Sequence, residues 1–252
     1  MSDSNADDST VSTNLHLHRS RLPWLFPLFK FKRPTHKFHN WYKYYILFIT
    51  FLAYLTFHAS RKPITIVKAQ LHHNCSDDAT PHPDTNSSTW CDWKPFDQEN
   101  YKVLFGELDY AYLGSYAISM FFSGWVAERM NLRYFLSIGM CLSGVFTVLF
   151  GMGYVFKIHF FGYYMLIQVI SGIFQSSGWP GVVTLVGNWF GAGKRGLIMG
   201  IWNSHTSFGN IIGSLIAAEF ADSNWALSFV VPGIMIFFMG IVVYSSFWGE
   251  RG

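Results

Sequence analysis

Charge is what this sequence has least of. Only 13% of its 252 residues are Asp, Glu, Lys or Arg, against roughly 25% in a soluble domain. That scarcity excludes an ordinary soluble fold, and a net charge of +3 spread over loops excludes a nucleic-acid surface. Cysteine is scarce too: Cys75, Cys91 and Cys141 are too few for a disulfide scaffold on this length. Metal-ligand spacing, a nucleophile elbow and a phosphate-cradling glycine loop after a strand are all missing, so neither cofactor nor metal nor enzyme chemistry is expected. His72-His73 beside Cys75 lacks an ordered scaffold that could make it a metal site. The opening residues, MSDSNADDSTVSTNLHLH, have no apolar core of a secretory signal, which leaves the first apolar run as an uncleaved signal-anchor.

What is there is apolar and aromatic. Hydrophobic residues make up 50% and aromatics 19%, including 10 Trp, 13 Tyr and 25 Phe, with a mean hydropathy of +0.21. Six apolar stretches have the length of a bilayer-crossing helix: residues 44–68, 105–127, 134–156, 159–175, 197–220 and 225–248. The expected fold is an all-α membrane protein with six transmembrane helices. Residues 1–40 read as a basic, disordered cytosolic tail and 41–252 as the six-helix bundle, with a loop of about 69–104 on the far side of the membrane.

Topology follows from the placement of charge. Arg19, Arg21, Lys30, Lys32, Arg33, Lys37 and Lys43 precede the first stretch and put the N-terminus in the cytosol. A phosphoinositide-binding patch would give the same topology. Six crossings return the C-terminus to the cytosol, and the basic loops at 128–133 and 194–195 fall on that side as well. The long loop after the first stretch is acidic and carries two sequons, at Asn74 and Asn86, which suit a luminal or outer face. Cys75 and Cys91 share that loop, either as a disulfide or as two free thiols.

The first stretch, YYILFITFLAYLTFHASRKPITIVK, holds the candidate site. Tyr54, His58 and Arg61 stand at i, i+4 and i+7, one face of a helix. A guanidinium within a span is expensive, and intramembrane cations are usually functional. The opposing reading ends the helix at Arg61 and Lys62, which snorkel to the headgroups ahead of Pro63. Small residues recur at Gly114, Ser115, Ser119, Ser123 and Gly124, and at Gly200, Ser204, Ser207, Gly209, Gly213 and Ser214, as close helix packing needs. Gln175 and Asn203 read as hydrogen-bonding glue between helices.

Two motifs carry a family resemblance. GWVAERMNLR contains Gly124, Glu128-Arg129 and Arg133 and resembles the loop motif of the major facilitator superfamily, in which an acid and arginines form a cytosolic charge latch. Glu128 stands in place of the commoner aspartate, and the second glycine of the motif is missing. The block GWPGVVTLVGNWFGAGKRGLIMGIWNSHTSFGN, with Gly178-Trp179-Pro180 closing the fourth helix, is similar to the organophosphate:phosphate antiporters of that superfamily. With LFGELDYAYLGSYAISMFFSGW and the loop sequons, the chain looks most like sugar phosphate exchangers of the endoplasmic reticulum.

The resemblance implies substrates, sites and place. It implies exchange of a sugar phosphate for inorganic phosphate across the endoplasmic reticulum membrane, with Arg61 on the phosphoryl group and Lys62, Tyr54 and His58 around it. Glu128, Arg129 and Arg133 would gate access. Asn203 and His205 are secondary candidates: His205 lies one position before the family's histidine, whose place Thr206 takes, and Met120 stands where several members carry a lysine. The family has two six-helix halves, so the chain corresponds to the first half, and a missing second half or a partner protein would complete it. The rival reading is a transport-inactive half-transporter acting as a regulatory or interaction partner in the bilayer.

Overall fold

The computed structural model describes residues 36–71, 93–97, 100–189 and 195–247, and these are helical apart from short turns. Eight helices follow in order among them: α1 His36–Arg61, α2 Pro63–Leu71, α3 Tyr101–Ala127, α4 Leu132–Val155, α5 Phe161–Gln175, α6 Gly178–Trp189, α7 Arg195–Trp202 and α8 His205–Ser246. Stretches 132–155, 161–187 and 223–246 are long and apolar enough to cross a membrane. Asn74, Cys75, Asn86 and Cys91 lie outside the described residues.

Several boundaries differ from those expected. α1 begins at His36, five residues before the expected start of the bundle. Gly178-Trp179-Pro180 does not close the fourth helix: after a turn at Ser176-Ser177 the chain re-enters a helix that runs to Trp189. Pro180 is tolerated because it sits in the first turn of α6, where a backbone N–H has no partner to lose. The turn itself follows from its serines, whose hydroxyls donate to the carbonyls of Ile173 and Phe174 at 2.7 and 2.8 Å and compete with the helix ladder.

The expected fifth helix begins in α7, and its remainder forms one unit with the sixth, α8, broken at Asn224 (φ −157°, ψ 88°). Asn224 is extended, and its Oδ1 accepts from the amide of Ala226 at 3.1 Å, so it acts as an internal N-cap. Asn131 does the same for α4, accepting from the amide of Arg133 at 3.1 Å.

α8 packs along α1, α2 and α4, and α3 packs against α5. Where α1 meets α8, a Cβ on Gly209 would stand 2.5 Å from the carbonyl oxygen of Leu55, and one on Gly213 would stand 2.4 Å from that of Ala59. Glycine is required at both positions by backbone approach, as the small-residue pattern anticipates. Gly114, Gly124 and Gly200, from the same pattern, face open space.

The core divides into two apolar clusters. One gathers Ile46, Tyr54 and Phe57 of α1 with Leu136, Met140, Leu185, Trp202, Ile236 and Phe247. The other gathers Val67 and Leu71 of α2 with Phe96, Phe105, Phe150, Tyr164, Trp225 and Phe229. Trp93 and Phe96, from the segment before α3, close the second cluster: Trp93 donates to the Tyr164 hydroxyl at 3.3 Å, and Phe96 stacks on Phe105 at 4.6 Å. Between the clusters the same helices place polar residues: Ser60 and Arg61, Ser143 and Thr147, and the run from Gln168 to Ser177.

Candidate functional site

Arg61 is the last residue of α1. Pro63 cannot supply the amide that would bond the carbonyl of Ala59, and the amide of Lys62 takes it instead at 3.4 Å. The helix therefore breaks at Lys62, and the guanidinium of Arg61 reaches toward α3 and α5.

There Nε of Arg61 donates to Oε1 of Gln175 at 2.6 Å. The same oxygen accepts from the Tyr112 hydroxyl, and Nε2 of Gln175 donates to the Ser60 hydroxyl at 3.1 Å. The guanidinium lies 4.9 Å from the centre of the Tyr116 ring, which stacks with Tyr112 at 6.4 Å. Tyr112 and Tyr116 fall mid-way along α3, and Gln175 falls mid-way along the apolar stretch 161–187.

A cavity of about 280 Å³ opens beside this cluster. Ser60, Arg61, Tyr112, Gln168, Ser171 and Gln175 give it a polar side; Phe146, Phe150, Ile167 and Phe229 give it an apolar one. Asp109 also lines it and is held by Lys68, Nζ to Oδ2 at 2.5 Å, the one ion pair among the described residues. Among the described residues, Arg61 is thus steadied by neutral groups only. An intramembrane cation costs about 2.5–3.5 kcal/mol, and hydrogen bonds to a charged group return roughly 1.5–3 kcal/mol each. The arrangement tolerates the cation while leaving it uncompensated, so it can take an anion by parallel charge-assisted hydrogen bonds.

The rest of the expected stripe goes elsewhere. Tyr54 and His58 do not line this cavity; they meet the turn between α7 and α8. The Tyr54 ring lies 4.7 Å from that of His205 and 5.3 Å from that of Trp202, and His58 stacks on His205 at 5.5 Å. Thr206 Oγ1 is 3.4 Å from His58 Nε2 and 3.3 Å from His205 Nδ1. His205 is fully buried, with its Nε2 unpartnered. Asn203 is exposed in the turn, and Lys62, in the α1–α2 bend, does not line the cavity.

At the opposite end of α3, Glu128 and Arg129 are exposed and do not pair with each other. Arg129 lies over the Trp125 ring at 3.9 Å and donates to the Trp125 carbonyl at 3.2 Å. Arg133 braces α4 to α8: its Nε donates to the Tyr244 carbonyl at 2.6 Å, and its guanidinium covers the Tyr244 ring at 4.0 Å.

Tyr112, Tyr116, Gln168 and Ser171 went unnoticed in the sequence, and Gln175 read only as glue. Two signals were available: tyrosines spaced i, i+4 in an apolar helix, and Gln168, Ser171 and Gln175 at i, i+3, i+7 in another.

A helical bundle with a guanidinium at a helix break beside a cavity fits a polytopic membrane protein of the transporter kind. The chain matches the Major Facilitator Superfamily over residues 43–252 and belongs to it. Among curated proteins it is 58% identical over 191 residues to the glucose-6-phosphate exchanger SLC37A2 of Homo sapiens, and equally so to that of Mus musculus; each match covers 75% of this chain and 38% of the relative. It is 52% identical over 205 residues to the human glucose-6-phosphate exchanger SLC37A1, again covering 75% and 38%. The chain therefore spans under two fifths of the length of these relatives. No solved structure matches it.

Proposed function

We propose that the chain supplies one wall of a sugar phosphate:inorganic phosphate antiporter, with Arg61 holding the phosphoryl group. The observation that carries this is the Arg61 guanidinium, at mid-bundle beside a cavity and without a carboxylate partner among the described residues. The relatives named as glucose-6-phosphate exchangers make a phosphorylated hexose the natural first ligand. Exchange in place of net flow follows if the empty cationic site resists reorientation and a bound anion relieves that cost.

Six crossings account for the eight helices: α1 with α2, α3, α4, α5 with α6, α7 with the first leg of α8, and the second leg after Asn224. Both ends then face the cytosol, and the sequons at Asn74 and Asn86, with Cys75 and Cys91, face the lumen of the endoplasmic reticulum. Glu128, Arg129 and Arg133 mark the cytosolic gate, and the Tyr54–His58–His205 cluster fixes α1 against α8 behind the site. The opposite wall comes from the further length that the relatives possess or from a partner protein.

Membranes from cells expressing the protein, loaded with phosphate and offered labelled glucose 6-phosphate, test this. Uptake should require internal phosphate and fall about tenfold or more in Arg61→Lys, since an ammonium cannot reproduce the paired guanidinium bonds. Equal uptake in that variant would falsify the role of Arg61. Failure of the wild type both to bind and to take up either anion would leave the transport-inactive partner as the better reading.

A further inference from the structure

The polar face of α5 extends beyond what the cation uses. Gln168, Ser171 and Gln175 stand on one stripe of the helix. Gln175 is engaged by Arg61, Tyr112 and Ser60. Gln168 is 9% exposed and Ser171 5%. Both line the cavity, and among the described residues neither side chain has a hydrogen-bond partner. Their polar atoms open onto the cavity, so their partners belong in the cavity itself.

The chemistry of the pair selects among ligands. A glutamine amide offers two donors and an acceptor, and a serine hydroxyl offers one donor and accepts as well. Neighbouring hydroxyl groups, which also donate and accept, match that set; a second phosphoryl group, which at neutral pH mainly accepts, does not. Across the cavity Phe150 and Phe229 lie 4.5 Å apart, centre to centre, and offer apolar surface suited to the C–H face of a sugar ring. Spacing agrees: with a rise of 1.5 Å per residue, Ser171 lies about 6 Å and Gln168 about 10 Å along the axis from Gln175. That is the reach of a hexose carried on a phosphoryl group held at Arg61.

We propose that Gln168 and Ser171 form a hydroxyl-binding subsite that takes the sugar portion of a phosphorylated sugar, and that they set the preference for the sugar ester over inorganic phosphate. The proposal rests on the reading of Arg61 as the phosphoryl site.

Equilibrium binding of labelled glucose 6-phosphate and of labelled inorganic phosphate to the purified chain in lipid nanodiscs tests it. Gln168→Leu and Ser171→Ala should each weaken glucose 6-phosphate about fivefold while leaving inorganic phosphate within about twofold, as expected for loss of one hydrogen bond. Arg61→Gln should lose both ligands. Unchanged glucose 6-phosphate binding in both α5 variants, with binding lost in Arg61→Gln, overturns the subsite and leaves the phosphoryl site standing. Phosphate binding that is absent in the wild type or survives Arg61→Gln overturns the phosphoryl site and the subsite with it. Ser171→Ala removes a single oxygen and decides the matter if Gln168→Leu fails to fold.

Discussion

Nε of Arg61 and Oε1 of Gln175 are 2.6 Å apart, so the guanidinium is held by a neutral amide. An amide orients the guanidinium without neutralising it, and a carboxylate at the same place would do both.

Gln175→Glu therefore separates orientation from charge. The new carboxylate should pair with Arg61 and lower phosphate binding tenfold or more, beyond the effect of Gln175→Leu, which removes the hydrogen bonds to Tyr112 and Ser60 and the one to Arg61, the last worth about 1.5–3 kcal/mol. Labelled phosphate binding to the two variants side by side is the measurement. An equal loss in both would mean that the added charge changes nothing and that Gln175 acts only by orienting its partners.

Lys68 and Asp109 form a partly exposed pair, with side chains 24% and 45% accessible, so their contribution to stability is small, about 0–1 kcal/mol. Their effect on the cavity is electrostatic. Lys68→Ala leaves the Asp109 carboxylate uncompensated beside an anion site and should weaken phosphate binding a few-fold. Adding Asp109→Asn should restore it. No recovery in the double variant would place Lys68 in direct contact with the anion.

Gly213→Ala puts a methyl 2.4 Å from the carbonyl oxygen of Ala59 and should cost about 1–3 kcal/mol by overpacking. Gly124→Ala, in open space, should be neutral or slightly stabilising. Thermal unfolding in one detergent compares them, and similar midpoints would contradict the tight α1–α8 crossing.

Asn224→Ala removes the cap inside α8 and should lower stability by about 1 kcal/mol, with Asn224→Asp retaining most of it. Chemical denaturation of the two variants checks the order.

Helix existence and close packing were legible because apolar runs and small-residue spacing report directly on one helix at a time. The α5–α6 continuity was not, since proline reads as a stop unless the turn before it is known. Arg61 was legible as an anomaly of charge in an apolar run. Its partners were not, because Tyr112 and Gln175 lie 51 and 114 positions later in the chain and look ordinary in their own helices. Tyr54 and His58 share a helical face with Arg61, yet α8 crosses α1 at their level and claims them for packing. Periodicity names a face without saying which neighbour covers it.

Along α1, α4 and α5 a polar layer at the level of Arg61 separates the two apolar clusters. Each is a storey with its own interdigitated side chains, which resist piecemeal deformation. The layer between them is built from amides, hydroxyls and one guanidinium, whose hydrogen bonds can pass from protein to ligand to water at little net cost. The bundle therefore has a seam where it is weakest against shear, and the seam runs through the cavity. Filling or emptying that cavity changes how firmly one storey rests on the other.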